Sequence, residues 1–195
     1  MPLKTELRAT YKKIRLSLSI EERKALSASI CSRLIDSSVL DGARVVHVFL
    51  PIERHGEIDT RPLVEYLWEK GVKVVISVSH FDTGQMSHYL YTPTTRLSLS
   101  SFSIPEPACV ADLTKVDEKD IDVVITPLLC CDNRGVRVGY GRGFYDRFFA
   151  VCRSDVKRVG LSFFPLINGV VEDSRTDDIP LTHLCTADEF ITFEK

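Results

Sequence analysis

The chain has 195 residues, a formal net charge of −2, 44% hydrophobic and 27% charged residues. This average composition excludes disordered, collagen-like and disulfide-scaffold proteins, and the length favours a single domain over residues 1–195. Because 25 basic residues stand against 27 acidic ones, no overall field favours general nucleic-acid binding.

Two helices are predicted at the start of the chain, as a helical hairpin. Apolar residues from Leu3 through Ile14 to Leu18 recur every three or four positions and predict one buried helical face. Ser19 and Glu22 have the spacing of a capping box and begin the second helix. The first helix also carries a basic stripe, formed by Lys4, Arg8, Lys12 and Arg15. The stripe alone is typical of a solvated face.

A β-α-β unit follows. Residues 44–50 and 72–78 are apolar and β-branched, which predicts two buried strands. Between them, Thr60 is the expected cap of a helix with Pro62 in its first turn and Gly71 at its end. This connection implies parallel strands.

The rest of the chain continues the same fold class. Residues 79–111 are rich in Ser, Thr and Pro and predict short strands at best. Buried strands are predicted at residues 121–126 and 158–164, and a last edge strand at residues 190–193. We therefore expect an α/β fold, an open and mostly parallel sheet flanked by helices.

The cysteines and the apolar runs bear on compartment and assembly. The six cysteines lack metal-like spacing and are expected as reduced thiols, with Cys130 and Cys131 pointing to opposite faces of one strand. No run reaches the ~18 apolar residues of a membrane helix, and the N-terminus lacks a secretory signal core. We expect a cytoplasmic monomer that binds neither membrane nor nucleic acid.

The densest chemical signal is a glycine-rich segment, C-D-N-R-G-V-R-V-G-Y-G-R-G-F-Y-D-R at residues 131–147, that leads into a predicted helix. Gly139, Gly141 and Gly143 allow backbone N–H groups to approach an anion, and the helix start adds free N–H groups. The spacing matches neither the dinucleotide motif nor the P-loop. Two alternatives stay open on spacing alone, a phosphate cradle and a flexible turn with solvated arginines.

Three carboxylates are candidate ligands. Asp146, in the first turn of that helix, either complements the helix dipole or binds magnesium beside phosphates. Asp178 is either a turn residue or a second metal ligand. Glu57 follows the first strand, at the edge where open α/β sheets bind ligands, and is either a solvated carboxylate or an acceptor for an amino-heterocycle. Hydrolase motifs are absent. The histidines are scattered along the sequence and are expected to be structural or surface residues.

The glycine-rich segment resembles the signature of the 5-formyltetrahydrofolate cyclo-ligase family, in the pattern Asp132-x-x-Gly135-x-Arg137-x-Gly139-x-Gly141-x-Gly143-Phe-Tyr-Asp146. The elements Lys4-Thr-Glu-Leu-Arg8, Phe49-Leu-Pro51 and Gly56-Glu-Ile-Asp-Thr60 resemble earlier blocks of the family. Residues 104–107 and 178–181 fall where the family has its Glu-Pro and C-terminal Asp elements. The resemblance spans nearly the whole chain in the same order.

The resemblance implies a Rossmann-like sheet and an ATP- and Mg²⁺-dependent ring closure of a reduced folate. ATP phosphorylates the formyl oxygen on N5 of 5-formyltetrahydrofolate, N10 attacks the activated carbon, and loss of phosphate leaves the 5,10-methenyl bridge. Such a transfer needs positioning and positive charge more than a protein nucleophile. The sequence accordingly contains no motif of a nucleophile with its catalytic base.

Residue roles implied by the resemblance fall into three groups. The ATP group is Lys4, Arg8, Arg137, Gly139, Tyr140, Gly141, Arg142, Gly143, Phe144 and Tyr145. The folate group is Leu50, Glu57, Tyr140, Arg142 and Phe144, of which Tyr140 and Arg142 are the expected catalytic residues. The Mg²⁺ ligands are Asp146 and Asp178, with Asp177 as the alternative. Nothing similar transfers to Lys12 or Arg15.

Departures from the family pattern lie at Ser77, Cys131 and Thr182, where many members have proline, an aromatic residue and aspartate. The first two are expected beside the site. A folate- or nucleotide-binding paralogue without turnover is one competing function, which the retained motif residues oppose. A nucleic-acid or partner-binding module using the basic helix is another, opposed by the net charge and the lack of interleaved aromatic residues.

Overall fold

An eight-stranded sheet is the frame of the molecule, which a computed structural model describes over residues 2–193. The helices are α1 (Lys4–Ser17), α2 (Ile20–Asp36), α3 (Arg61–Glu69) and α4 (Phe144–Val151). The strands are β1 (Val45–His47), β2 (Lys73–His80), β3 (Gln85–Tyr91), β4 (Leu97–Leu99), β5 (Pro105–Pro107), β6 (Lys115–Val116), β7 (Val123–Pro127), β8 (Cys130–Cys131), β9 (Arg137–Val138), β10 (Lys157–Leu161), β11 (His183–Cys185) and β12 (Phe190–Thr192).

The sheet has the order β12-β11-β10-β7-β1-β2-β3-β6. Its five central strands, β11 to β2, are parallel, whereas β12, β3 and β6 pair antiparallel at the two edges. The predicted α/β class with a mostly parallel sheet is confirmed. Because β2 and β7 flank β1 on opposite sides, the strand order reverses there and opens a crevice at the carboxyl ends.

The central strands are mainly apolar in their middle positions because helices cover both faces of the sheet. Val123 and Ile125 of β7 point into a core shared with α2 and α3. Val124, between them, points into a second core that contains Phe148 and Phe149 of α4. The alternation of side chains along a strand therefore divides one apolar run between two cores.

The helices α2 and α3 begin where they were predicted to begin, but Thr60 does not act as the side-chain cap of α3. The Ser19 hydroxyl accepts a hydrogen bond from the Glu22 amide at 3.1 Å, and the Glu22 carboxylate accepts one from the Ser19 amide at 2.7 Å. Thr60 precedes α3, but its hydroxyl donates to the Phe49 carbonyl at 2.5 Å and makes no side-chain cap. Thr60 therefore fastens the helix to the end of the first strand.

The strands β3 and β11 differ most from the prediction, and the two-residue strands β6 and β9 were not predicted either. The seven-residue strand β3 lies in the segment expected to hold short strands at best, and it forms a hairpin with β2 across a turn that ends at Gly84. The strand β11 lies inside the sheet between β10 and β12. The β3 sequence mixes polar and apolar residues on both faces, so it lacks the apolar run that identified the central strands.

The N-terminal hairpin divides its packing between two surfaces. The helix α1 packs against the ribbon of β8 and β9, and α2 packs against α3 and β11. Leu7 is buried, but Ile14 is 41% exposed, so the predicted apolar face of α1 is wrong at that position. Cys130 packs beside Leu7 and Cys131 packs in the core under α4, as their adjacent positions predicted.

The state of the cysteines and the length of the helices bear on the remaining expectations. All six cysteines are free thiols. Within residues 2–193, none of the helices is both long and apolar enough to cross a bilayer.

Buried histidines under the sheet crevice make the fold sensitive to acid. The Ser77 hydroxyl bridges His47 Nε2 at 2.8 Å and His88 Nδ1 at 3.0 Å, and His88 is 1% exposed. Burial, with a smaller effect of Lys115, lowers the pKa of His88 to about 4. The unfolded chain binds this proton near pH 6.5 and the folded chain does not, so stability present above pH 6.5 is lost towards pH 4.

We expect His88→Gln to reduce the loss of unfolding free energy between pH 7 and pH 5 by about 2 kcal/mol. Urea denaturation at the two pH values measures this difference. The matched control is His80→Gln, which removes an exposed histidine of the same hairpin and should leave the acid loss unchanged. An equal acid loss in His88→Gln and the parent would contradict the assignment.

Candidate active site

A cavity of about 820 Å³ opens in the crevice at the carboxyl ends of β1, β2 and β7. The start of α1, the loop after β1 and the glycine-rich loop before α4 complete its wall. The predicted site residues all line it: Lys4, Arg8, Leu50, Glu57, Arg137, Gly139, Tyr140, Gly141, Arg142, Gly143, Phe144, Tyr145, Asp146, Asp177 and Asp178. Residues that are distant in sequence are thus brought to one place, and their individual roles stay predictions.

One end of the cavity is rich in charge. The Lys4 ammonium forms an ion pair with Asp178, and the Arg175 amide donates to the same carboxylate oxygen of Asp178 at 2.6 Å. Burial alone would raise the pKa of Asp178, but the Arg175 amide and Lys4 lower it overall. The Lys4 amide donates to Asp173 at 2.8 Å, which fixes the start of α1 at this end.

A second acid–base pair lies beside the first. Arg137 donates through Nη2 to Oδ1 of Asp146 at 2.6 Å, and the Ile179 amide donates to the same oxygen at 3.2 Å. The Arg137 guanidinium also lies 4.6 Å from the centre of the Phe149 ring. Arg137 is therefore held in place by the core, and it orients Asp146 towards the cavity.

The acids of this end suit a hard cation. Among residues 2–193, neither Oδ2 of Asp146 nor Oδ1 of Asp178 receives a hydrogen bond. Two free carboxylate oxygens match the one or two that Mg²⁺ takes from a protein beside phosphates and waters. Asp177 is 69% exposed and pairs with Arg175 at 3.2 Å, so Asp178 is the better placed of the two alternatives.

The glycine-rich loop joins this charged end to α4. Arg8 donates through Nε to the Gly139 carbonyl at 2.8 Å, so α1 holds the loop. The helix α4 begins after Gly143, which adopts φ +70° and provides no side-chain cap. Within residues 2–193 no side chain caps the first amides of α4, and residues of its first turn line the cavity, which favours the phosphate cradle over the flexible turn.

The glycine-rich loop requires a residue without a side chain at position 141, and this requirement can be tested. Gly141 adopts φ +84°, and a Cβ there would lie 2.9 Å from Nη2 of Arg8. We expect Gly141→Ala to weaken ATP binding roughly 10-fold, because Arg8 must shift away from the place in which the family resemblance implies that it binds phosphate. Equilibrium nucleotide binding measures the effect.

The matched control is Gly42→Ala. Gly42 has φ +72° with nothing within 4 Å of its added Cβ, so it carries the same backbone strain without the collision. Both variants should lose about 1 kcal/mol of stability, whereas only Gly141→Ala should lose nucleotide affinity. Equal affinities in the two variants would separate Arg8 from the nucleotide.

Another part of the cavity wall contains one buried carboxylate. Glu57 is 7% exposed, the Tyr140 hydroxyl donates to its Oε1 at 2.5 Å, and the Ile52 amide donates to its Oε2 at 2.8 Å. Burial raises the pKa of Glu57, although these hydrogen bonds and the charge of Arg15 oppose the rise. The Arg15 guanidinium donates to the Tyr140 hydroxyl at 2.6 Å, so the expectation that Arg15 belongs to a solvated face is wrong.

Phe81, Phe102 and Phe144 form an aromatic wall of the cavity. Phe81 stacks on Phe102 with ring centres 3.7 Å apart and meets Phe144 edge-on at 5.1 Å. The Arg142 guanidinium lies exposed 6.0 Å from the Phe81 ring. Sequence reasoning missed Phe81 and Phe102, which are isolated aromatic residues in a polar segment and carry no motif.

The three departures from the family pattern have different surroundings. Ser77 lines the cavity and bridges two buried histidines, one of which, His47, also lines it. Cys131 lies in the core under α4 and does not itself line the cavity, but it pairs with Arg137, which does. The Thr182 hydroxyl accepts from the Arg158 amide at 2.8 Å and joins two strands.

The fold and the cavity define a class, namely a Rossmann-like α/β protein with a glycine-rich loop lining the crevice at the point where strand order reverses. The sequence model of the 5-formyltetrahydrofolate cyclo-ligase family matches residues 1–189. The chain therefore belongs to the 5-formyltetrahydrofolate cyclo-ligase family, and it is an enzyme of that family.

Individual relatives agree with the family match. A protein of Escherichia coli K12 named 5-formyltetrahydrofolate cyclo-ligase is 35% identical over 140 residues, 68% of this chain and 72% of the relative. The NMR structure of Aquifex aeolicus 5,10-methenyltetrahydrofolate synthetase is similar with a TM-score of 0.82 and 28% identity, covering 100% of this chain and 94% of the other. A Mycoplasma pneumoniae 5,10-methenyltetrahydrofolate synthetase, 18% identical with a TM-score of 0.71 and covering 94% of this chain and 98% of the other, shares the fold.

Proposed function

We propose that this enzyme converts 5-formyltetrahydrofolate and ATP to 5,10-methenyltetrahydrofolate, ADP and phosphate. The observation that carries the proposal is the pairing of two unlike ends in one cavity. A cationic loop with free amides suits a polyphosphate, and a buried carboxylate suits an amino-pyrimidinone ring. The family match and the named relatives support the same reaction.

The ATP end is proposed to bind phosphates through charge and backbone amides. Lys4 and Arg8 supply positive charge from α1, and the loop from Gly139 to Gly143 supplies amides and leads to the start of α4. Asp146 and Asp178 would hold Mg²⁺ through their free oxygens. Mg²⁺ bound there would neutralise phosphate charge as the phosphoryl group transfers. Lys4 would then exchange part of its pairing with Asp178 for a phosphate oxygen.

The folate end is proposed to recognise the pterin edge. Ionised Glu57 has about four lone-pair positions, and the protein fills two of them, through Tyr140 and Ile52. The remaining positions can accept the ring N–H and the amino group of the pterin. Leu50 and Tyr140 would border the ring on its faces, and Phe144 would border it towards the phosphates.

The chemical step is then a matter of alignment. With both substrates held, the formyl oxygen on N5 attacks the terminal phosphoryl group and ADP leaves. N10 adds to the activated carbon and loses its proton, and departing phosphate takes the former formyl oxygen. Arg142, exposed at the mouth beside the aromatic wall, is proposed to move onto the transferring phosphoryl group. Tyr140, whose hydroxyl is engaged by Glu57, is proposed to hold the pterin in line.

The proposal also covers the domain organisation, the compartment and the oligomeric state of the enzyme. We propose a single domain over residues 1–195, because the two cores share one sheet. We further propose a cytoplasmic monomer, in keeping with thiols that are mostly buried and unpaired.

The test mixes purified protein with 5-formyltetrahydrofolate, ATP and magnesium chloride. We expect an ATP-dependent rise of the near-ultraviolet absorption of the methenyl product, with one ADP formed per product. Reactions without ATP or without protein are the controls. Binding of both ligands without product would instead identify a non-catalytic paralogue.

A further inference from the structure

Arg15 is a buried cation without an assigned role. It is 3% exposed, although its neighbours Lys13 and Ile14 on α1 are exposed. Its guanidinium donates to the Tyr140 hydroxyl at 2.6 Å and lies 5.6 Å from the centre of the Tyr140 ring. Its Nε is buried with no hydrogen-bond partner in the described residues. Burial of a charge is costly, so a side chain kept here points to a function beyond packing.

When Glu57 is ionised, the hydrogen bonds along Arg15, Tyr140 and Glu57 have one possible direction. A guanidinium only donates, so the Tyr140 oxygen is the acceptor from Arg15. The hydroxyl proton of Tyr140 is then directed to Oε1 of Glu57 at 2.5 Å. The arrangement therefore presents Glu57 as an acceptor at the cavity wall, which is the state that a ring with N–H donors requires.

We propose that Arg15 is a positioning residue of the folate site, which keeps Glu57 ionised and oriented through the Tyr140 hydroxyl. This inference rests on the proposed function, because the pterin edge is the ligand that Glu57 would accept. Arg15 itself does not line the cavity, so it acts through Tyr140 rather than on the ligand.

The charges around Glu57 support this direction. Burial raises the pKa of Glu57, whereas the Tyr140 hydroxyl, the Ile52 amide and the charge of Arg15 lower it. Loss of the Arg15 charge would therefore favour the protonated carboxyl, which accepts fewer hydrogen bonds. The titratable and charged groups that act on Glu57 are Arg15, Tyr140 and Tyr145. The adjacent His55 is influenced in turn by Arg54, Arg15 and Lys12.

The test compares Arg15→Met with the parent by equilibrium binding of 5-formyltetrahydrofolate without nucleotide, from pH 5 to pH 8. We expect Arg15→Met to raise the folate Kd roughly 10- to 100-fold at neutral pH, the cost of a lost charged hydrogen bond. The acid-side loss of affinity should also begin at higher pH. In turnover assays the KM for folate should rise while kcat and the KM for ATP change little.

Two further variants separate positioning from packing. Arg15→Lys keeps the charge and should recover most of the affinity and the parent pH profile. Lys13→Met removes an exposed cation from the same helix and should bind folate like the parent. In a Tyr140→Phe background, Arg15→Met should add less than a few-fold further loss, because the two residues act through one hydroxyl.

Several results would overturn the inference. A parent-like folate Kd and pH profile in Arg15→Met would remove Arg15 from the folate site, and so would an equally large loss in the Tyr140→Phe background. If Arg15→Met fails to fold, as judged by its thermal transition, Arg15→Lys decides, since unrestored affinity in that folded variant would contradict the role of the charge. A parent protein that binds no folate would instead refute the proposed function, together with this inference.

Discussion

Asp146→Asn is expected to lower turnover by about two to three orders of magnitude, because it removes a negative charge where phosphate and metal charges meet. Asparagine has the same size and can still accept from Arg137 and from the Ile179 amide through its side-chain oxygen. The fold should therefore persist, and the concentration of magnesium needed for half-maximal rate should rise. A magnesium series at saturating ATP and folate measures both changes.

The control for this variant is Asp155→Asn. Asp155 is also paired with an arginine, through Arg153 at 3.0 Å, but it lies exposed and outside the cavity. Its substitution should leave turnover and magnesium dependence unchanged. An Asp146→Asn enzyme with parental magnesium dependence would refute the metal role. A variant that loses its folded thermal transition would point to a purely structural pair with Arg137.

Glu57→Gln is expected to raise the Kd for 5-formyltetrahydrofolate about 100-fold, since a charged acceptor of two pterin hydrogen bonds becomes a neutral one. Glutamine keeps one oxygen and presents an amino group to a ring that itself donates, so one contact becomes repulsive. The dissociation constant for ATP should stay within a few-fold, because Glu57 is bonded to Tyr140 and Ile52 and not to Lys4 or Arg8, the proposed phosphate ligands of α1. Separate binding titrations of folate and ATP measure the two effects.

The neighbouring residue Glu53 provides the control. It lies in the same loop but is 77% exposed and forms a long ion pair with Arg61 at 3.4 Å. Glu53→Gln should bind folate as the parent does. Equal folate affinities for Glu57→Gln and the parent would show that the buried carboxylate is not the pterin acceptor.

The fold could be predicted where burial on both faces imposes a clear pattern. The apolar runs of β1, β2, β7 and β10, with glycine and proline at the ends of the intervening helix, were sufficient for a parallel sheet. The strand β3 was missed because it pairs near the edge and has polar residues on both faces. The strand β11, with the sequence His-Leu-Cys, was missed because it contains no β-branched residue and lies in no apolar run.

The candidate site also contains residues that the sequence could predict and residues that it could not. The loop from Gly139 to Gly143 could be predicted because glycine spacing and the helix start lie next to each other in sequence. The role of Arg15 could not, because its partner Tyr140 is 125 residues away and the basic stripe of α1 looks uniform in sequence. Only the tertiary contact distinguishes the buried Arg15 from the exposed Lys12 of the same stripe.

The central claim is that ATP activates the formyl oxygen inside this cavity, and an isotope experiment tests it most directly. The protein is supplied with ATP, magnesium and 5-formyltetrahydrofolate whose formyl oxygen carries a heavy isotope. We predict that each methenyl product formed leaves one heavy oxygen in the inorganic phosphate, as detected by mass spectrometry. Methenyl product with the heavy oxygen in water and unlabelled phosphate, or ATP consumed without methenyl product, would contradict the account.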